Sequence, residues 1–330
     1  MKSKIEKLKN IIDQNRCFVL ASHVHTDGDA LGSLIAFYHY LNELGKEAYL
    51  FVPGDIPEKY EYLGTNQLIN RGNRREHIRL IGKADVFLVL DISSTARLDI
   101  YYEAFKKCSA IKICIDHHPI KDDEYDMKIV DSEKVATAEI IYDIFRKWGK
   151  DISKPMAEAL YSAILSDSGS FRFQGTSAHT MDMAARLIEA GADPVQIYAH
   201  IFESATIKQL RAWGDALTRM RSDGLFAWIS IRQEWLEERR LSLEEVNGLI
   251  NIMRQDRKNS VFAVFVEKNA HEIMVGLRSK NGINVGRLAR QMGGGGHFHA
   301  AGFTANKPID EVVEETIKLV ASLSKDGSKK

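Results

Sequence analysis

Cysteine is scarce in this 330-residue chain: Cys17, Cys108 and Cys114 are all it has. Their odd number and the lack of any C-x-x-C spacing argue against a disulfide framework or a thiolate zinc site, and a reducing cytoplasm is the expected home. An excess of either charge is also missing, with 45 Lys plus Arg against 45 Asp plus Glu, so no whole-molecule field draws the protein to long duplex nucleic acid. A short anionic substrate gripped by local charge stays compatible. No apolar run reaches the roughly 18 residues of a membrane span. Residues 1–15 mix Lys and Glu with Ile5, Leu8, Ile11 and Ile12, an amphipathic helix that lacks a signal peptide's apolar core. Internal repeats are absent, and the one biased segment is the Lys-rich tail from Ser324.

What the chain does have is length for two domains, at about 150 residues each. Buried-strand runs at Cys17–Ala21, Glu47–Val52, Asp85–Leu90 and Ile111–Ile115 alternate with helical patterns, the arrangement of an open parallel sheet. Three helical patterns follow between about Ala178 and Arg221. From Gly224 the texture changes to strands at Leu225–Ile231, Val261–Val266 and Glu272–Leu277, with helices at Ser242–Ile252 and Val285–Met292. The expected fold is α/β: a Rossmann-like parallel-sheet domain over 1–204, a helical connector over 205–222, and a smaller α+β domain over 223–330, with a cleft between the two domains.

Three of the early strands end in acids or imidazoles. The first runs into Ser22-His23-Val24-His25-Thr26-Asp27-Gly28-Asp29, the third into Asp91, the fourth into Asp116-His117-His118, and a helix from Pro155 breaks at Ser166-Asp167-Ser168-Gly169. Strand carboxyl ends are where open parallel sheets bind ligands. For the first stretch two readings stay open: carboxylates whose repulsion a divalent cation relieves, or a loop in which Asp29 caps the following helix. Collected, His23, Asp27, Asp29, Asp91, His117 and Asp167 form a thiolate-free N/O set suited to Mn²⁺, and less distinctively to Mg²⁺, Fe²⁺ or Co²⁺. Four carboxylates call for two such ions, and a pair about 3.5–4 Å apart hydrolyses phosphoesters.

Residues 273–309 contain no acid but hold Arg278, Lys280, Arg287, Arg290 and Lys307. The same stretch carries Gly293-Gly294-Gly295-Gly296-His297, read as a phosphate cradle or, alternatively, a flexible loop.

His-x-x-x-Asp-x-Asp at 23–29, the aspartate closing Val-Leu-Asp at 91, Asp-His-His at 116–118 and Ser-Asp-Ser-Gly at 166–169 resemble, in order, the motifs of the DHH phosphoesterase superfamily. Gly293–His297 followed by Ala300-Ala301-Gly302 resembles its DHH-associated C-terminal domain. Length and the Gly276-Leu277-Arg278-Ser279 stretch are similar to the nanoRNase branch, whose members degrade oligoribonucleotides of a few residues and dephosphorylate 3′-phosphoadenosine 5′-phosphate (pAp), with relatives that cleave cyclic di-AMP or pApA. The resemblance implies one Mn²⁺ on His23, Asp27 and Asp91, and a second on Asp29, Asp91, His117 and Asp167. It further implies His118 at the scissile phosphate, Asp116 orienting the pair, and Arg97, Arg172, Arg278, Ser279, Gly293, Gly294, Gly295, Gly296 and His297 around the nucleotide. Short RNA or small nucleotides are the expected partners, no membrane is involved, and a homodimer is left open. A silent nucleotide sensor is the non-enzymatic alternative, and the four carboxylates kept at mutual electrostatic cost argue against it.

Overall fold

Apolar runs without polar alternation need cover on both faces, and the first sheet has it. The computed structural model describes residues 2–120, 122–173, 175–246, 248–296 and 298–326; His297 therefore lies outside the described residues. The chain divides into two compact units, Met1–Ser204 and Ala205–Lys330. No described helix is long and apolar enough to cross a membrane.

The first unit runs α1 (Lys2–Gln14), β1 (Cys17–Ala21), α2 (Gly28–Glu43), β2 (Glu47–Phe51), α3 (Thr65–Leu68), α4 (Arg74–Lys83), β3 (Val86–Leu90) and α5 (Tyr102–Lys107). It continues with β4 (Ile111–Asp116), β5 (Met127–Val130), α6 (Thr137–Lys147), α7 (Lys154–Asp167), α8 (Ala178–Glu189) and α9 (Pro194–Phe202). All five strands are parallel, in the order β2-β1-β3-β4-β5. Alternate strand residues point to opposite faces. Phe18, Leu20, Leu88, Ile113 and Ile115 meet α2, α6 and α7 on one side, while Val19, Ala21, Phe87, Val89 and Cys114 meet α4 and α5 on the other.

One helix pair is packed unusually closely. A Cβ on Gly32 would stand 2.3 Å from the Ala159 carbonyl oxygen, and one on Gly28 would stand 2.5 Å from Ser166 Cβ. These two glycines, one turn apart, lay the start of α2 against the end of α7. The acidic stretch before β5 is tied down: Asp122 accepts from the Thr95 amide (2.5 Å) and Glu124 from the Tyr102 hydroxyl (3.0 Å).

The second unit contains α10 (Ile207–Thr218), β6 (Arg221–Asp223), β7 (Phe226–Ile231), α11 (Gln233–Arg239), α12 (Leu249–Met253), β8 (Val261–Asn269), β9 (Glu272–Ser279), α13 (Val285–Gln291), β10 (Gly295–Gly296), β11 (Ala300–Ala305) and α14 (Ile309–Asp326). Its sheet order is β10-β11-β9-β8-β7-β6, antiparallel except for β7 with β8. Val261, Ala263 and Phe265 face α13 and α14; Phe262, Val264 and Val266 face α10, α11 and α12. Helix α10, expected as a connector, buries Ala212 and Ala216 in that second cluster. The single helix expected over Ser242–Ile252 is broken: α12 begins only at Leu249, after an N-cap at Gly248, where a Cβ would stand 2.4 Å from the Trp213 indole.

Candidate metal centre

Strands β1, β3 and β4 are neighbours, so the loops leaving their carboxyl ends share one rim. Helix α7 adds Asp167, its last residue. The side chains gather in two trios, His23 with Asp27 and Asp91, and Asp29 with His117 and Asp167. Asp91 belongs to both surroundings. Its Oδ2 lies 3.7 Å from His23 Nε2, and its Oδ1 lies 3.6 Å from His117 Nε2. His117 Nε2 is also 3.8 Å from Asp29 Oδ2 and 3.5 Å from Asp167 Oδ2, and His23 Nε2 is 4.0 Å from Asp27 Oδ1. These separations exceed a hydrogen bond's roughly 2.7–3.2 Å and leave room for an ion at about 2.1 Å from each donor. The donor set, carboxylates and imidazoles without sulfur, fits a divalent cation, and most of it is buried.

Both imidazoles are held by their other nitrogen. His117 Nδ1 lies 3.2 Å from the Lys134 carbonyl and His23 Nδ1 lies 2.8 Å from the Val24 carbonyl. A carbonyl only accepts, so the His117 ring carries its proton on Nδ1 and turns the Nε2 lone pair to the carboxylates; His23 Nδ1 also faces a donor, the Arg97 Nη at 2.9 Å.

The carboxylates are placed by backbone. Asp27, rather than the Asp29 of the capping alternative, is the N-cap of α2, accepting from the Ala30 amide at 3.1 Å. Asp29 is fully buried and caps another helix: it accepts from the Thr137 and Ala138 amides at the start of α6 (2.6 and 3.0 Å). Asp91 and Ser93 are left-handed, φ 54° and 58°, a conformation costly for non-glycine residues. Asp116 holds that turn, its Oδ2 accepting from the Ile92 and Ser93 amides (2.6 and 2.8 Å). Its Oδ1 accepts from the amide and Nδ1 of His118 (2.7 and 2.8 Å).

Sequence reasoning missed Thr137, whose hydroxyl donates to Asp91 Oδ1 (3.1 Å) and accepts from the His117 amide (3.2 Å). In the sequence it is one polar residue at the start of an apolar-faced helix, and nothing there marks it. His25, the extra imidazole of the first motif, is exposed at φ 59° and belongs to neither trio.

The electrostatics state the cost of this crowding. Burial, then Asp91 and Asp27, push the Asp29 carboxyl well above the usual range, against the pull of the two α6 amides. Burial, then Asp27, Asp29 and Asp91, do the same to Asp167, which also sits at the negative end of α7. Asp91 goes the other way: burial opposes its charge, yet the His118, His23 and His117 imidazoles around it hold it well below the usual range. For His118, burial disfavours protonation, but Asp116 and Asp91 carry its pKa up to about 11.

Of the expected nucleotide contacts, Arg97 places an Nη within 2.9 Å of His23 Nδ1 and 3.3 Å of the Val24 carbonyl. Arg172 is exposed, tethered by Nε to the Gly169 carbonyl (2.7 Å) after Asp167. In the second unit, Arg278 donates to the Leu277 carbonyl (2.9 Å), and burial together with Arg254 pushes its pKa down to about 10. Two of the expected contacts have internal partners there. Ser279 is fully buried; its hydroxyl donates to the Ile283 carbonyl (2.5 Å) and lies 3.0 Å from His299 Nδ1. The glycine run is only half a cradle: the Gly293 and Gly294 amides cap α13 on the Arg290 and Ala289 carbonyls (3.2 and 2.8 Å). Gly294 and Gly296 are needed for packing, since a Cβ on either would collide with β11 at 2.2 and 2.5 Å. Gly295 and Gly296 remain exposed.

Comparison with known proteins agrees with this geometry. The profile of the DHH family N-terminal domain matches residues 18–164, and that of the DHHA1 domain matches residues 233–326. The chain is 27% identical over 305 residues to the bifunctional oligoribonuclease and PAP phosphatase NrnA of Thermus thermophilus, covering 91% of this chain and 88% of that protein. It is likewise 27% identical over 327 residues to the protein of that name from Mycoplasma genitalium, covering 97% and 98%. A crystal structure of an exopolyphosphatase-related protein from Bacteroides fragilis superposes with a TM-score of 0.90 at 25% identity, over 99% of this chain and 96% of that one. Built from these two domains in this order, the chain belongs to the DHH family of phosphoesterases.

Proposed function

We propose that this protein hydrolyses short oligoribonucleotides, of about two to five nucleotides, to mononucleotides and removes the 3′-phosphate of pAp, using two divalent cations, most simply Mn²⁺. The observation that carries the reading is Asp91, with one oxygen toward His23 and the other toward His117: a shared carboxylate between two donor sets. His23, Asp27 and Asp91 would hold one ion; Asp29, Asp91, His117 and Asp167 the other. The bound ions would supply water activation at neutral pH and neutralisation of charge at phosphorus.

The chain's own residues do the rest. His118, protonated and oriented by Asp116, is a donor for a phosphate oxygen or the leaving group. Arg97 and Arg172 lie beside the donor cluster and after Asp167, where an anionic substrate would be steered. In the second unit Arg278 and the exposed Gly295 and Gly296 of β10 would offer contacts to a nucleotide. The names of the relatives support this substrate class.

The test is an assay of purified protein with Mn²⁺ on di- to penta-ribonucleotides, pAp, pApA and cyclic di-AMP, with Asp91→Ala in parallel. Turnover of the oligonucleotides and pAp by wild type alone is expected. Preference for pApA or cyclic di-AMP would move the substrate assignment, and equal activity of Asp91→Ala would end the shared-carboxylate scheme.

A further inference from the structure

The turn that follows β5 carries no residue of either trio, yet it decides which way His117 points. Its Lys134 carbonyl accepts the His117 Nδ1 proton at 3.2 Å. A carbonyl in a turn directs an imidazole only if the turn is itself fixed, and α6 grips it twice. Lys134 Nζ donates to Asp143 Oδ2 at 2.6 Å, with both side chains largely buried at 19% and 29% exposure. One helical turn earlier, Glu139 accepts from the Val135 amide at 3.3 Å and is itself 1% exposed. The other oxygen of Asp143 lies 3.1 Å from His179 Nε2 on α8. This pair is shielded enough to hold a geometry that an exposed ion pair would not.

We propose that Lys134 and Asp143 are positioning residues for His117: their ion pair fixes the turn so that the Lys134 carbonyl keeps the ring in its Nδ1–H form, with Nε2 turned to Asp29, Asp91 and Asp167. The inference rests on the metal reading above and extends it to residues outside every motif. Released from that carbonyl, the ring can rotate or exchange tautomers, and the donor set loses its pre-oriented nitrogen. Substrate binding, which the turn does not touch, is left alone.

The experiment is Mn²⁺ titration of metal-free full-length protein by calorimetry and by the EPR signal of free Mn²⁺, together with kcat and KM on a ribodinucleotide. Asp143→Asn and Lys134→Met are expected to weaken Mn²⁺ binding by about tenfold, the lower end of what loss of an outer partner does to a metal site, and to lower kcat with KM held. Lys134→Arg keeps a cation within reach of Asp143 and is expected to restore both. Wild type that binds no Mn²⁺ would overturn the metal reading and this inference with it. Wild-type binding that Asp143→Asn and Lys134→Met leave unchanged would overturn this inference alone, as would equal losses in Lys134→Arg and Lys134→Met.

Discussion

Asp29 Oδ2 lies 2.6 Å from the backbone nitrogen of Thr137, so one carboxylate both caps α6 and faces His117. Its charge suits the helix end but not its carboxylate neighbours, which with burial push its pKa well up. Asp29→Asn removes the repulsion but keeps one acceptor oxygen for two α6 amides and turns its NH2 on the other. The two effects oppose, so the metal-free variant is expected to melt within about 2–4 °C of wild type, a net change near 1 kcal/mol. Mn²⁺ should no longer raise its midpoint. Thermal melts with and without Mn²⁺ check both, and an undiminished Mn²⁺ shift would refute the assignment.

Asp116 acts on Asp91 through the chain that follows it. Asp116→Ala leaves the Ile92 and Ser93 amides without their acceptor and removes the acid that orients His118. Activity is expected to fall about 10–100-fold, with nucleotide binding little changed. Steady-state kinetics beside Mn²⁺ titration would show whether kcat carries the loss.

The seam between α2 and α7 admits no side chain at Gly32, where a Cβ would stand 2.3 Å from a backbone oxygen. Gly32→Val must push the helices apart, at a cost of about 1–3 kcal/mol or more, and carries Asp167 away from Asp29. Denaturant melts should show the destabilisation, and Mn²⁺ affinity should fall although no ligand was touched.

Acid should weaken metal binding. Burial disfavours protonated His23, but the neighbouring Asp91 and Asp27 carboxylates outweigh that and raise its pKa; Asp29 and Asp167 are raised as well. Groups raised in the folded state stabilise the metal-free protein at low pH, and that contribution is lost as pH rises through their folded values. A cation must displace the same protons, so affinity drops roughly tenfold per pH unit for each proton displaced. The gap between metal-bound and metal-free melting points should therefore widen from pH 6 to pH 8, at about the histidine range. A gap that is flat across this range would contradict the ligand set.

Ser279 and Arg278 should separate by readout. Ser279→Ala strands the Ile283 carbonyl and is expected to cost about 1–2 kcal/mol of stability with KM intact. Arg278→Ala should raise KM for the nucleotide.

Much of this was legible in the residues. Uninterrupted strands such as Val86–Leu90 announce a sheet covered on both sides, and acids at three strand ends announce a site at its rim. Strand β5 escaped because it is four residues long at the sheet edge, and β11 because Ala300-Ala301-Gly302 lacks the branched residues that mark strands. The glycine run divides for a physical reason: glycine permits both anion approach and tight packing, and only coordinates separate the amides that cap α13 from the exposed pair on β10. Thr137 and Lys134 act through a hydroxyl and a backbone carbonyl, groups with no sequence pattern of their own.

The last ligand candidate to be synthesised is Asp167, which comes after all five strands of its sheet. A nascent chain halted ahead of α7 would present His23, Asp27 and Asp91 yet lack a closed second set. Assembly order along the polypeptide thus becomes a checkpoint: the second donor set closes only once the helix bearing Asp167 has docked on the glycine seam, so a chain that stops short of it would carry the first set alone.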